Sequence, residues 1–179
     1  MKLLVAVLVL TVSLTACQPE HHDELNEFAS ASCAAIQNWI DAIEDETVAL
    51  SRHVTPLDHA SDRVVYYRDF AKAIDLRTWD TIRQLKRIAP LHGDGRIAAD
   101  ALIGAMESSR TVTQDLIDLA QGFPDSDDDP EPLVSRISSM FIRLEKAFAF
   151  PNRARDDLAV RYEIFDTIPS CADYREPVT

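Results

Sequence analysis

Apolar residues return every three or four positions through four successive stretches of this chain, and each stretch is closed by Pro or Gly. Leu25, Phe28, Ser32, Ile36, Trp39, Ile43, Thr47, Leu50 and Val54 mark one face of a helix over about Asp23 to His53, because steps of three and four keep to one side of a 3.6-residue turn. The Thr55-Pro56 pair ends that run and offers Thr as N-cap and Pro as first-turn residue of the next helix. Val64, Tyr67, Ala71, Ile74, Thr78, Thr81, Leu85 and Ile88 form the second seam, which stops before Pro90. Residues 91–95 (Leu-His-Gly-Asp-Gly) read as a turn. The third seam is Ala98, Leu102, Ala105, Ser109, Val112, Leu116, Leu119 and Phe123, with Gly122 as a left-handed cap before Pro124. Val134, Ile137, Phe141, Leu144 and Phe148 form the fourth, ending at Pro151, and a shorter fifth helix is expected from about Arg153 to Ile168 with Leu158, Tyr162 and Phe165.

Long amphipathic helices joined by short turns become antiparallel neighbours. The expected fold is therefore all-α, an antiparallel up-and-down four-helix bundle with a short C-terminal fifth helix. Only four Gly in 179 residues fits the same architecture, since tight hairpins lean on Gly for positive φ. The helices differ in charge: the first carries −6, residues 56–89 carry +2, 95–122 carry −2 and 132–150 carry +2. In a square bundle the acidic first helix would touch the second and fourth, both basic, which favours that choice of neighbours.

Ahead of the bundle, Met1-Lys2 precede the apolar run Leu3 to Leu14. A charged start and an apolar stretch of this length read as a signal peptide. At 1.5 Å per residue the run reaches about 18 Å, short of a hydrocarbon core of roughly 30 Å. The run meets Leu14-Thr15-Ala16-Cys17, which resembles the lipobox of bacterial prolipoproteins. That resemblance covers the leader alone. It implies cleavage before Cys17, a diacylglyceryl group on the Cys17 thiol and acylation of the new amino end, palmitate being a typical chain. Two chains would hold the protein stably where one would be marginal. Gln18 stands where members retained in the inner membrane carry Asp, so the expected location is the cell envelope, at the outer membrane if the host has two. The chain then divides into a leader (1–16), a lipidated tether (17–22) and a helical domain (23–179).

With Cys17 given to lipid, Cys33 and Cys171 remain. An even pair in an exported compartment predicts a disulfide, and closing a loop of 138 positions is worth at most about 5 kcal/mol in the loop-entropy description. Helix parity points the same way. After four antiparallel helices the chain past Pro151 returns to the end where helix one begins, and Cys33 lies roughly 12 Å along helix one from Leu25.

Chemistry-bearing motifs are scarce. A di-iron bundle needs Glu-x-x-His, but the residues three before His53, His59 and His92 are Leu50, Pro56 and Ala89. There is no Cys-x-x-Cys-His for haem, no Gly-x-Ser-x-Gly and no phosphate loop. These readings give no cofactor and no enzyme. Removing Lys2 with the leader leaves 17 bases against 30 acids, a net −13, which does not suit a nucleic-acid partner; the partners expected are the membrane, through the anchor, and another envelope protein.

One acidic cluster stands out. In residues 124–131 (Pro-Asp-Ser-Asp-Asp-Asp-Pro-Glu), Asp125, Asp127 and Asp129 match the first ligands of a calcium loop, but Pro130 stands where the loop needs Gly and Arg136 where it needs Glu. Parity gathers this loop with His53, Asp58 and His59 at the end far from the anchor, where carboxylates and imidazoles could hold a divalent cation; a solvated acidic turn at the start of helix four is the alternative. His21 and His22 on the tether offer a weaker metal pair. Trp39, Phe70 and Phe148 fall at similar heights, as a core layer or as the lining of a ligand cavity. The leading expectation is a lipid-anchored interaction or scaffold module, followed by a small-ligand or cation-binding lipoprotein and by an envelope hydrolase without a recognisable motif.

Overall fold

The computed structural model describes residues 20–55, 60–123 and 131–172. The leader, Cys17 and Gln18 lie outside them. Four long helices, α1 (Glu20–Val54), α2 (Ala60–Ile88), α3 (Gly93–Gln121) and α4 (Glu131–Arg161), are followed by two single turns, α5 (Ile164–Thr167) and α6 (Pro169–Ala172). The expected all-α bundle with a short C-terminal addition is the fold. Among the described residues no helix is long and apolar enough to cross a membrane.

The core is the set of seams turned inward. Phe28, Ile36, Trp39 and Ile43 of α1 are buried with Ile74, Ile82 and Leu85 of α2, Leu102 and Leu116 of α3, and Leu144 of α4. Along α3 the buried line shifts by one position, to Met106, Thr113 and Ala120 instead of Ala105, Val112 and Leu119. The line keeps the three-four alternation and shares Leu102, Ser109 and Leu116 with the expected seam, so the buried face is the expected one turned slightly about the helix axis.

Consecutive helices pack side by side, but the bundle is not square: the backbone of α1 lies closer to α3 than to α4. Small residues permit that approach. A Cβ on Gly95 of α3 would stand 2.9 Å from Pro90 Cγ and 3.7 Å from Leu25 Cα. Helix α1 meets α4 through large rings, Trp39 against Phe148 at 5.1 Å between centroids. The charge argument is thus met between α1 and α2, where Glu46 and Arg77 pair at 3.1 Å, whereas close packing at Gly95 draws α1 toward α3.

Pro151 does not end α4; the helix runs through it to Arg161. Proline lacks an N–H, so the carbonyl four residues earlier, that of Ala147, loses its helical donor. The fold supplies another: the buried Ser109 hydroxyl of α3 donates to that carbonyl at 2.7 Å. With its backbone partner replaced, the helix continues and buries Pro151, Arg155 and Leu158. The stretch expected as a separate fifth helix is therefore mostly the last third of α4.

Other ends also differ from expectation. Helix α1 begins at Glu20 and takes His21 and His22 into its first turn, and Asp23 and Glu24 lie near the positive end of the helix dipole, which favours them. Thr55 closes α1, donating its hydroxyl back to Ser51 O at 2.6 Å; α2 is described from Ala60, and Pro56 lies outside the described residues. Gly93 opens α3 with φ 70, a conformation that glycine adopts without strain. Gly122 at the other end has φ −80 and is not left-handed. Arginines from neighbouring helices donate to the carbonyls at this end, while the Gly122 N–H still bonds to Asp118 O at 3.3 Å. Arg68 of α2 donates to Ala120 O and Phe123 O, both at 3.2 Å, and Arg136 of α4 donates to Gly122 O.

Past α4 the chain turns back on α1. Cys171 in α6 is bonded to Cys33, with Cα atoms 5.0 Å apart, so even parity does bring the cysteines together. The disulfide is buried, and Arg155, only 5% exposed, donates to the Cys171 carbonyl at 3.1 Å.

Two outcomes follow. Ser109→Ala should cost about 1–3 kcal/mol in urea unfolding, the price of a buried carbonyl left unpaired. The same change made on Pro151→Ala should cost clearly less, since residue 151 then supplies its own N–H; equal costs in both backgrounds would contradict the assigned partner. In a Cys17→Ser variant denatured without reductant, a thiol reagent should find no reactive group, and two would refute the disulfide.

Candidate functional site

The turns that bear the residues singled out by sequence leave from the end of the bundle where α1 stops and α3 stops. Arg68, early in α2, reaches the last carbonyls of α3, and Tyr67 meets Phe123 edge-on at 5.8 Å between centroids. The two turns that bear the predicted cluster therefore leave from one end, as parity requires. Of the cluster itself only His53 is described. It is exposed on the last turn of α1 and stacks nearly parallel (6°) on Tyr66 at 5.0 Å. Asp58, His59, Asp125, Asp127 and Asp129 lie outside the described residues. Among the described residues no three His, Cys, Asp or Glu side chains form a group able to hold a metal ion.

What the sequence did not reveal is the base of this end. Arg68 and Arg136 close on the C-terminus of α3, where backbone carbonyls leave a partial negative charge that cations offset. Both stand out in sequence only as charges near helix starts. Periodicity assigns a residue to a face of its own helix and not to a partner on the next.

The aromatic layer is core. Trp39, 2% exposed, lies against Phe148 and donates its indole N–H to Thr78 Oγ1 at 3.0 Å. Phe70 pairs instead with Phe141, 6.3 Å between centroids. These rings fill the interior that a ligand would have occupied.

A second polar grouping joins α2 to α3. Asp75 accepts from the Thr113 hydroxyl at 3.1 Å and lies 3.5 Å from Arg110 Nε. The Arg110 guanidinium sits 4.1 Å above the Trp79 ring, an arrangement in which cation and ring face attract. It fastens two helices, α2 through Asp75 and Trp79 and α3 through Arg110 and Thr113.

Two surface depressions lie among the described residues. One, about 500 Å³, lies at the opposite end between Glu24, Glu27 and Phe28 of α1 and Ile88, Leu91 and His92 around the α2–α3 turn. The other runs along Asp80, Arg83 and Arg87 of α2. Both are open to solvent, unlike the enclosed, mostly apolar cavities that bury small ligands.

Burial raises the Tyr67 hydroxyl above its ordinary value of 10.0, against the opposing pull of Arg63. Tyr162 is raised as well, by partial desolvation and by its hydrogen bond to Asp94. Both stay neutral to higher pH in the fold than in the unfolded chain. The stability they contribute is whole below about pH 10 and is lost as pH climbs through the raised values. Tyr67→Phe should flatten that alkaline loss in pH-dependent unfolding, and an unchanged profile would place its origin elsewhere. Comparison with protein-family models, curated proteins and solved structures gave no match to this chain.

Proposed function

We propose that the chain is an exported, lipid-anchored protein of the cell envelope whose helical bundle serves as an interaction or scaffold module. The observation that carries the reading is the position of Leu14-Thr15-Ala16-Cys17, which ends three residue steps before α1 begins at Glu20. An anchor joined this closely to a packed bundle suits a module held at the membrane and offering its far end, with His53 and the 124–130 segment, to a partner. The buried Cys33–Cys171 disulfide agrees with export, because such bonds persist where thiols are not kept reduced. The anchor has to come from acyl chains. A mature chain at −13 gains no attraction from a membrane surface that is commonly anionic.

The alternative of a cation-binding lipoprotein rests on His53, Asp58, His59, Asp125, Asp127 and Asp129 leaving from one end of the bundle. A saturable heat on titration with calcium, zinc or manganese, lost in His59→Ala, would favour it over the scaffold reading.

Cells supplied with labelled palmitate should label the parent protein and leave it in the membrane fraction. Cys17→Ser should carry no label and leave that fraction, whereas an unlabelled parent or a membrane-bound Cys17→Ser protein would refute the anchor. A photo-crosslinker placed at His53 in the intact envelope should capture a defined partner, and the same crosslinker on the α4 surface at Ile142 should not.

A further inference from the structure

The end of the bundle nearest Cys17 exposes apolar side chains from three elements. Leu91 in the α2–α3 turn is 80% exposed, Ile97 on the first turns of α3 is 44% exposed and Val160 on the last turn of α4 is 91% exposed. They belong to one end of the molecule. Leu91 lines the same depression as Glu24 and Phe28 of α1, Gly95 of α3 approaches Leu25, and the Tyr162 hydroxyl donates to Asp94 at 3.0 Å, tying the end of α4 to the start of α3. Water-exposed Leu, Ile and Val are ordinary singly, and Val48, Val65 and Leu76 are exposed elsewhere, but these three lie at the end of the bundle where α1 begins.

Chain length limits where that end can go. From Cys17 to Glu20 there are three residue steps, and a fully extended chain spans at most about 3.5 Å per residue, roughly 10 Å in all. Helix α1, with 35 residues, is about 52 Å long by comparison. A bundle tied so closely cannot move away from the bilayer. Even weak attraction between its near end and the lipid therefore operates at a high effective concentration.

Resting on the lipid-anchor reading, we propose that this end of the bundle lies directly on the lipid surface that holds Cys17, with Leu91, Ile97 and Val160 seated at the boundary between headgroups and acyl chains. Apolar contact carries it. The exposed charges around this end are mixed: Arg87, Arg96 and Arg161 stand among Asp23, Glu24, Glu27 and Glu163. Arg96 is already paired with Asp100 at 2.7 Å, so charge gives no net pull toward anionic lipid, and the contact persists in high salt and on zwitterionic membranes.

The test uses acylated full-chain protein purified from membranes and reconstituted into vesicles of phosphatidylcholine brominated in one acyl chain, with bromine as a short-range quencher of tryptophan. Three variants are compared with the parent: Leu91→Trp, Val160→Trp and, as the remote control, Val48→Trp, which is exposed on α1 roughly 35 Å from Leu25. Bromolipid should remove the emission that Leu91→Trp and Val160→Trp each add to that of Trp39 and Trp79 in the parent, leave the emission added by Val48→Trp unchanged, and do so equally in low and high salt. Val160 is so exposed that its replacement does not depend on repacking, which keeps the test valid if Leu91→Trp fails to fold. Quenching no greater for these two than for Val48→Trp, in protein whose mass shows the acyl chains, would overturn the surface contact and leave the anchor standing. Parent protein without acyl chains would overturn the anchor and the contact together.

Discussion

The carbonyl of Ala147 decides how far α4 can run. Pro151 removes its helical donor, and the Ser109 hydroxyl replaces that donor from the neighbouring helix. Much of the near end depends on this substitution. Because α4 continues to Arg161, Tyr162 arrives beside Asp94, Arg155 arrives under α6, and the last turns are delivered onto α1 where Cys171 bonds Cys33. A helix broken at Pro151 would leave some ten residues of chain, Leu158 among them, without the backbone that places them. The disulfide then fastens what the hydrogen bond permits, linking the first long helix to the last turn of the chain.

Helix existence and pairing were legible because one physical quantity, the spacing of apolar residues, reports them directly. Parity was enough to foresee that Cys33 and Cys171 meet and that the turns after His53 and Phe123 leave from one end. Helix ends were less legible, since each is settled by a partner distant in sequence. Pro151 looks like a stop until Ser109 is placed 2.7 Å from the freed carbonyl, and Gly122 looks like a left-handed cap in a stretch whose last carbonyls are held by Arg68 and Arg136 from two other helices. The neighbour relation of α1 was misjudged for a similar reason. Net charge favoured α4, but the close approach that Gly95 allows brings α1 to α3, and packing at that distance outweighs exposed ion pairs contributing perhaps 0–1 kcal/mol each. Of the candidate site, the gathering of its turns was readable and the arginines beneath them were not.

The two ends of the bundle have different characters. Polar side chains in the described interior mostly fasten helices: Thr78 holds Trp39, Ser109 holds α4, and Asp75 holds Thr113 and Arg110. Function is then best sought on the surface. At one end α3 stops ahead of the acidic residues 125–129 and His53 is exposed on the last turn of α1; at the other, Leu91, Ile97 and Val160 are exposed. On the proposed anchoring, Cys17, three residue steps ahead of Glu20, would set a direction, with the end that holds Leu91, Ile97 and Val160 toward lipid and the His53 end away.

That direction depends on the chemistry at Cys17, and the intact mass of the protein extracted from membranes tests it most directly. The account predicts a chain running from Cys17 to Thr179, heavier by a diacylglyceryl group and any N-acyl chain, and lighter by the pair of hydrogens lost to the Cys33–Cys171 bond. A mass equal to the uncleaved chain, or to a cleaved chain without lipid, would contradict it.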